Sequence, residues 1–448
     1  MAGSFQSFGR NVAETRRSLP LSAAIELLRT GNVEPGSLLG YGNGRTYGDS
    51  CQNASGSVVD MRPANRILSF DARSGVIEAE AGVFLSDIIA YAVPLGWFPP
   101  VLPGTQYVTV GGAIANDVHG KNHHVRGTFG CHVESLALLR SDGQTYRCSR
   151  TANATLFSAT IGGMGLTGLV RSARIRLRRI SLPDLMETVT PFASLDGYFA
   201  LAEAADEANE YAVAWIDQLA DGACEGRGLL LTANHAEASP ARQKREHRLS
   251  VPFRVPFTVL NKPFLKLFNE AYYRGKARAG AIHPASWRNF FFPLDGVRHW
   301  NRLYGPRGLY QHQSVLPLEA GQTAVREMLA VSRKAGEGSF LTVLKRFGQM
   351  RSPGLLSFPR QGYTLTLDFP NRGARTLALL TELDRITIAA GGAVNPYKDA
   401  RMDSHVFEAS FPNWRALESL RDPAFLSDFW RRTALGLKAG EQYVHAAE

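Results

Sequence analysis

The sequence predicts an α+β protein of two domains, and three observations carry that expectation. At 448 residues the chain exceeds the ~250–300 residues beyond which a single hydrophobic core stops growing. The composition is that of an ordinary globular protein, with 44% hydrophobic and 20% charged residues and no low-complexity tract or short-period repeat. The pattern also changes along the chain. The N-terminal part reads as short strands separated by glycine-rich loops, and from about Leu182 helical and strand patterns alternate over longer stretches.

In order, PLSAAIELLRTG (Pro20 to Gly31) reads as a short helix stopped by glycine, and the segment from Ser37 as a strand emptying into the loop Gly42 to Ser50. GVIEAEAGV alternates as a strand does, and LSDIIAYAVPLG has helical spacing ended by proline and glycine. HVESLALLRSDGQTYRCS reads as a hairpin around a Ser-Asp-Gly turn. Gly163, Gly165 and Gly168 match G-x-G-x-x-G, but the alternating Arg171, Arg174, Arg176 and Arg178 that follow indicate a strand. A Rossmann unit requires a helix there, so that fold is rejected. Beyond Leu182, SLDGYFALAEAADEANEY and AVAWID, then EAGQTAVREMLAVSRKAG and SFLTVLKRF, then GYTLTLDFP, ARTLALLTELDRITIAAGG and AVNPYKD read as a helix-covered, largely antiparallel sheet. The last fifty or so residues are helical and amphipathic.

Cys51, Cys131, Cys148 and Cys224 show no C-x-x-C spacing, which argues against a zinc site or disulfide framework and for a reducing compartment. The first residues lack an apolar h-region, and the run from Ile88 to Leu102 is broken by Pro94, Gly96, Pro99 and Pro100, so neither a Sec signal nor a membrane span is expected. A cytoplasmic location follows, with peripheral attachment at the inner membrane face open. The net charge is +10, and +8 of it (ten basic residues against Glu246 and Glu270) lies between Arg242 and Arg278. Phe253, Phe257, Leu260, Phe264, Leu265, Phe268, Tyr272 and Tyr273 share that window. The mixture suits an anionic membrane surface or an anionic lipid, and a basic surface loop without a partner explains it as well. No recognition-helix or RNP signature accompanies it, so nucleic acid is not expected.

The densest signal is Pro103 to Gly130, PGTQYVTVGGAIANDVHGKNHHVRGTFG. Its glycines permit positive φ and close approach to a ligand. With the loop Gly42 to Ser50, the segment Thr109 to Gly112 offers backbone N–H groups suited to the phosphates of a dinucleotide. The 42–48 spacing is not that of a P-loop. His119, His123 and His124 raise a metal site, but Gly120 and Gly127 oppose a helix there and no carboxylate or cysteine completes a ligand set, so no metal is expected. His119 and Lys121 fit instead a site for an oxyanion or a sugar hydroxyl.

GNGRTYGDS, then PGTQYVTVGGAIANDVHGKNHHVRGTFGCHVESLALLRSDG, then GGMGLTGLV resemble the flavin-binding signatures of the vanillyl-alcohol oxidase (PCMH-type FAD-binding) superfamily. Within it they are most similar to the oxidases of decaprenylphosphoryl-β-D-ribose. AVAWID, LYQHQSVLP, FLTVLKRFG, GYTLTLDFP and YKDAR extend the likeness over nearly the whole chain. The resemblance implies an FAD-binding domain from residues 1–182 and 393–448, with a substrate domain, 183–392, inserted between. That domain would contain the basic, aromatic segment 242–278, expected to be mobile. The implied FAD contacts are Asn43, Gly44, Arg45, Thr46, Tyr47, Gly48, Asp49 and Ser50 in the first loop, Gly104, and Thr109, Val110, Gly111 and Gly112 in the second, completed by Asn116, Val118, His119, Val170 and Asn395. Several superfamily members bond the flavin through a first-loop histidine. Arg45 stands in that place, so the FAD is expected to be non-covalent.

The implied reaction oxidises the C2′ hydroxyl of a polyprenyl-phosphate pentose to a 2-keto sugar. This is the first half of an epimerisation that a short-chain NAD(P)H reductase completes, giving an arabinose donor for cell-envelope glycan. Hydride passes to the flavin while the hydroxyl proton leaves. Lys398 is the first choice for the group that receives it, with His119 and Tyr47 beside it. Lys121, Trp215, Gln313, Lys345, Thr364 and Thr366 match positions lining the family's pocket. A solvated strand edge explains Lys345 beside Arg346 about as well. Three residues depart from the family: Thr366 replaces a cysteine that covalent nitroaromatic inhibitors attack, Thr364 an asparagine, and Asn395 a tyrosine near the flavin. Oxidation of another sugar, alditol or aldonolactone is the close alternative, and a redox-inactive membrane-surface binding protein is the alternative of another class.

Overall fold

A computed structural model describes residues 5–238, 249–251, 258, 260–277, 282–339 and 341–445. Of the basic, aromatic window, Arg242, Lys244, Arg245, Arg248, Phe253, Arg254, Phe257 and Arg278 lie outside the described residues; Lys262 to Lys276 form a helix capped by Asn261, whose side chain accepts from the Phe264 amide.

The N-terminal part builds two larger sheets, beside the two-stranded pair of Trp97–Phe98 with Arg178–Arg179. Ser18–Pro20, Ser57–Asp60 and Leu38–Tyr41 pair in parallel. Ile67–Asp71, Val76–Glu80, Leu169–Arg176, Val133–Leu139 and Thr145–Ser149 lie side by side and antiparallel. The arginine-alternating stretch is therefore the central strand of the second sheet. Gly168, at φ 136°, leads into it, and a Cβ there would stand 2.5 Å from the Leu139 carbonyl oxygen, which accounts for glycine. The helix Leu21–Thr30 stops at Gly31 in the left-handed conformation.

The rest is organised by one antiparallel sheet of eight strands, in the order His283–Ala285, Leu185–Phe192, Gly228–His235, Tyr211–Ile216, Val343–Phe347, Gly362–Pro370, Leu309–Leu316, Ala393–Val394. One face buries Leu344, Leu365, Leu367 and Leu230 under the helices Leu195–Ala208, Leu318–Lys334 and Ala374–Ala389. The other face is turned to the N-terminal part. Val343–Phe347 lies between Tyr211–Ile216 and Gly362–Pro370, so Lys345 is in the sheet interior and the edge explanation falls.

The C-terminal helices pack back onto the first part of the chain. Phe407, Trp414, Phe429 and Trp430 are buried with Ala159, Met164 and Leu166. Leu38 pairs with Phe425, and Arg432 reaches Asp49 at 2.8 Å and Asp399 at 3.1 Å.

Two local expectations need correction. Val110–Ala115 is a short helix and not a loop: Thr109 caps it, accepting the Gly112 amide at 3.2 Å, while the Val110 and Gly111 amides donate to the Val83 and Ala81 carbonyls at 2.8 Å each. That segment offers a ligand room rather than donors. One helical turn, His123–Arg126, also forms between Gly120 and Gly127, because Asn122 accepts the Val125 and Arg126 amides through its carbonyl.

Candidate active site

Side chains alternate across a strand, so positions two apart share a face. On the sheet face turned to the N-terminal part this places together Gln311 and Gln313, Val343 and Lys345, Thr364, Thr366 and Asp368, and Val213 and Trp215. The register sets Gln313 opposite Thr366 and Lys345 opposite Thr364. Over this floor lie the loop 42–47, the stretch from Leu102 to Lys121, Gly165 to Val170, and Asn395 to Lys398, enclosing a cavity of about 680 Å³. The first part of the glycine-rich stretch Pro103 to Gly130, as far as Lys121, is thus a wall of the cavity.

Asn395, Gln313, His119 and Lys345 are joined by hydrogen bonds. Asn395 Nδ2 donates to Gln313 Oε1 at 2.9 Å, and Gln313 Nε2 lies 3.0 Å from both Thr364 Oγ1 and His119 Nε2. Lys345 Nζ is 3.4 Å from His119 Nδ1 and 3.4 Å from the Gly120 carbonyl oxygen. Lys398 Nζ stands 4.7 Å from the centre of the Tyr47 ring. Lys121 donates to the Phe290 carbonyl and lies 4.3 Å from that residue's ring centre. Behind Lys398, Gln311 Nε2 donates to Asp368 Oδ1 at 2.5 Å.

Three ammonium groups and an imidazole gathered, each partly buried, in one cavity are electrostatically expensive, and their ionisation shifts accordingly. Burial pushes Lys345 down to about 7, helped by the charges of Lys121 and Lys398. Burial lowers Lys398 to about 8 against the opposing pull of Asp368, and Lys121 to about 8 against Glu187. His119 is held well below its usual range by burial and by Lys345, His123 and Lys398, so its ring is neutral. Burial raises the Asp368 carboxyl to about 7, opposed by Gln311 and Lys398. Burial raises the Tyr47 phenol well above its normal value, which keeps it protonated.

Lys398, His119, Tyr47, Lys121, Trp215, Gln313, Lys345 and Thr366 line this one cavity, as do Asn43, Gly44, Arg45, Thr46, Ser50, Gly104, Thr109, Gly111, Gly112, Asn116, Val118, Val170 and Asn395. Four expected residues sit elsewhere. Gly48 is pressed on the Asp399 backbone, Asp49 is turned to Arg432, Val110 is core, and Thr364 lies beneath Gln313. Reading the sequence overlooked Gln311, Asp368, Trp300, Asp295 and Tyr397. Strand period two carries the signal for the first two, each two residues from a named position. Asp295 and Tyr397 come from turns, which have no period, and Trp300 opens the short 3-10 helix Trp300–Tyr304. His123 accepts the Gly348 amide at 3.2 Å and His124 contacts the Asn209 carbonyl at 2.9 Å; neither joins His119 around a common point.

Residues 21–149 match the FAD binding domain family FAD_binding_4. Over 414 residues, 89% of each chain, the protein is 35% identical to the decaprenylphosphoryl-beta-D-ribose oxidase of Mycolicibacterium smegmatis. The chain belongs to this oxidase family. An uncharacterised protein of Streptomyces coelicolor is 35% identical over 378 residues, covering 79% of this chain and 100% of its own. The L-gulonolactone oxidase of Mus musculus is 30% identical over 138 residues, 30% of each chain.

As a member of the oxidase family the protein is an FAD-dependent oxidoreductase of the vanillyl-alcohol oxidase fold type, and its residues fit the cofactor. Among the described residues no hydrogen-bond partner engages the amides of Asn43, Gly44, Arg45 and Thr46, and the buried Arg45 Nε also has none. These are donors suited to phosphate oxygens. Gly104 has nothing within 4 Å of where a Cβ would stand, and Gly165, at φ 74°, has only Leu39 at 3.9 Å, so a planar ring system meets bare backbone at both.

Proposed function

We propose that the protein oxidises the C2′ hydroxyl of a polyprenyl-phosphate pentose such as decaprenylphosphoryl-β-D-ribose to the 2-keto sugar. The observation that carries this reading is the convergence of Lys121, Lys345, Lys398 and His119 on one cavity beside the loop 42–47. Such a cavity takes a polyhydroxyl group and an anionic tether together. The FAD is held non-covalently, by the free amides of Asn43 to Thr46 and by Arg45, and it supplies the hydride acceptor. Trp215, whose ring centre is 4.9 Å from that of Tyr272, gives an apolar wall, while Lys121 lies towards Glu187 and Phe290. Lys398 meets the reacting hydroxyl oxygen, backed by Asp368. The keto product is the substrate class of a short-chain NAD(P)H reductase, which completes the epimerisation to an arabinose donor for envelope glycan.

The cofactor unit is residues 1–182 and 393–448, and the substrate unit 183–392. The helix Lys262–Lys276 exposes Phe264 (45%) and Leu267 (72%), while its Tyr272 and Lys276 line the cavity. We place this helix against an anionic membrane surface, from which a lipid-borne sugar enters. Among the described residues no helix is long and apolar enough to cross a membrane.

The test is anaerobic bleaching of the yellow FAD-loaded protein by a panel of free sugars, alditols, aldonolactones and polyprenyl-phosphate pentoses. Bleaching by the phospho-pentose lipid supports the reading. Bleaching only by a free sugar, alditol or lactone replaces it with the second reading, which the departures at Thr364, Thr366 and Asn395 favour. A preparation that stays colourless with FAD excludes both. With the lipid presented in anionic vesicles, Leu267→Glu is expected to slow bleaching several-fold while leaving bleaching by a detergent-dispersed substrate unchanged; equal rates would remove the membrane contact.

A further inference from the structure

The bonds along Asn395, Gln313, His119 and Lys345 admit one consistent set of donors and acceptors. The Tyr397 amide, which can only donate, points at Asn395 Oδ1 at 2.9 Å, so the arm of Asn395 facing Gln313 is its NH₂. That NH₂ donates to Gln313 Oε1, and Gln313 Nε2 is left to donate to Thr364 Oγ1 and to His119 Nε2. His119 Nε2 therefore accepts. A neutral imidazole protonates one nitrogen only, so the proton sits on Nδ1, the atom facing Lys345 Nζ.

An ammonium opposite that N–H is repelled. An amine accepts from it and still donates to the Gly120 carbonyl. The other ionisable groups near Lys345 act the same way. Lys121 and Lys398 both disfavour a third positive charge, and the buried His123 faces it as well. The carboxyl groups at the cavity are spoken for: Glu187 faces Lys121, Asp368 faces Lys398, Asp295 faces Arg45, and Asp117 accepts from Ser352 and Ser357.

We propose that Asn395, through Gln313, fixes His119 as the Nδ1–H tautomer and so holds Lys345 as a neutral amine that takes the proton of a hydroxyl in the cavity. In that transfer the O–H bond breaks, its electron pair stays on oxygen, and the Nζ lone pair binds the proton to give an ammonium. Lys398, beside Asp368, keeps the positive charge that meets the oxyanion. Asn395, Gln313 and His119 are positioning residues, and Lys345 is the catalytic one, in place of the Lys398 expected from the sequence. The proton-accepting half rests on the alcohol-oxidation reading above; the state of the amine does not.

Competitive acetylation of the FAD-loaded full chain with acetic anhydride between about pH 6 and pH 10, read peptide by peptide by mass spectrometry, reports the neutral fraction of each lysine. The Lys345 midpoint is expected about two pH units or more below that of the exposed Lys262. ¹⁵N NMR of histidine-labelled protein should show the proton of His119 on Nδ1. Asn395→Leu should raise the Lys345 midpoint by about one unit, and Asn395→Asp, which turns the Gln313 amide around, by more. A proton on Nε2, a Lys345 that titrates with Lys262, or variants that leave its midpoint in place would overturn the proposal. Should the variants fail to fold, the two wild-type measurements decide.

Lys345→Met then tests the transfer. With a bleaching alcohol in hand, loss of about 10²-fold or more in the bleaching rate supports it, and a wild-type rate overturns it while leaving the tautomer standing. If no alcohol bleaches the wild-type flavin, the alcohol reading and the transfer fail together, and acetylation and NMR still decide the state of the amine.

Discussion

Two lysines of the same type occupy opposite electrostatic situations a few side chains apart. Lys398 has a carboxyl behind it, and Lys345 has only cations and neutral rings. The rate of substrate-driven flavin reduction should therefore rise with pH through about 7, as Lys345 loses its proton, and fall again through about 8, as Lys398 loses its own. Stopped-flow reduction across that range checks it; a rate that falls on the alkaline side of 7 without a preceding rise would reverse the assignment. At this scale the sequence revealed the polar positions better than their roles. Lys345 and Arg346 interrupt the apolar run FLTVLKRF and so stand out, whereas Gln313 lies within the polar run Gln311 to Ser314 and is marked by the family resemblance. Gln311 and Asp368 are equally buried, but nothing in a linear pattern says that the face they share is roofed by another part of the chain. Lys398, before an aspartate in an irregular segment, reads as a surface residue. Only the path of the Asn395–Lys398 turn over the sheet edge buries it.

The strands and long helices form where their periods indicate, because two-residue and 3.6-residue repeats report which face each element buries. The short elements were less legible. Thr109 capping and the backbone bonds to Ala81 and Val83 convert a glycine-rich segment into a helical turn, and those partners lie far away in sequence. The same holds for the brace under the first loop. Arg432, on the helix Asp428–Arg432, binds Asp49 and Asp399, both at least nine-tenths buried. Arg432→Met leaves the buried Asp49 without its cation and Asp399 with Arg401 alone, at 3.8 Å. It should cost on the order of 3 kcal/mol, toward the lower end for such pairs because the arginine is itself 28% exposed. Since the brace fixes the loop whose amides face the cofactor, FAD should also dissociate faster. Urea unfolding and the recovery of flavin fluorescence on dilution measure the two effects, and a stable variant that loses FAD no faster would separate the brace from the seat.

Over the whole molecule, the cavity is made where the floor of the eight-stranded sheet meets loops from distant stretches of the chain, with neither side complete alone. Composition, absence of a zinc pattern and the broken apolar runs are properties of the chain that reading it in order can weigh. The meeting of Tyr47, His119, Lys345 and Lys398 depends on tertiary closure, which local pattern does not encode. Removal of residues 395–448 should therefore abolish FAD retention even in material that stays in solution, as gel filtration with absorbance at the flavin wavelength would show. A truncated chain that remains yellow would place the whole seat in residues 1–394.

The brace from Arg432 to Asp49 also sets a clock on biosynthesis. The loop 42–47 leaves the ribosome early, but the cation that steadies its base and the lysine that faces its tyrosine follow more than 350 residues later. During that interval the nascent chain carries a dinucleotide-binding segment with no finished pocket. Loading of the cofactor is thereby deferred until translation has passed residue 432, and the flavin arrives as the closing act of maturation.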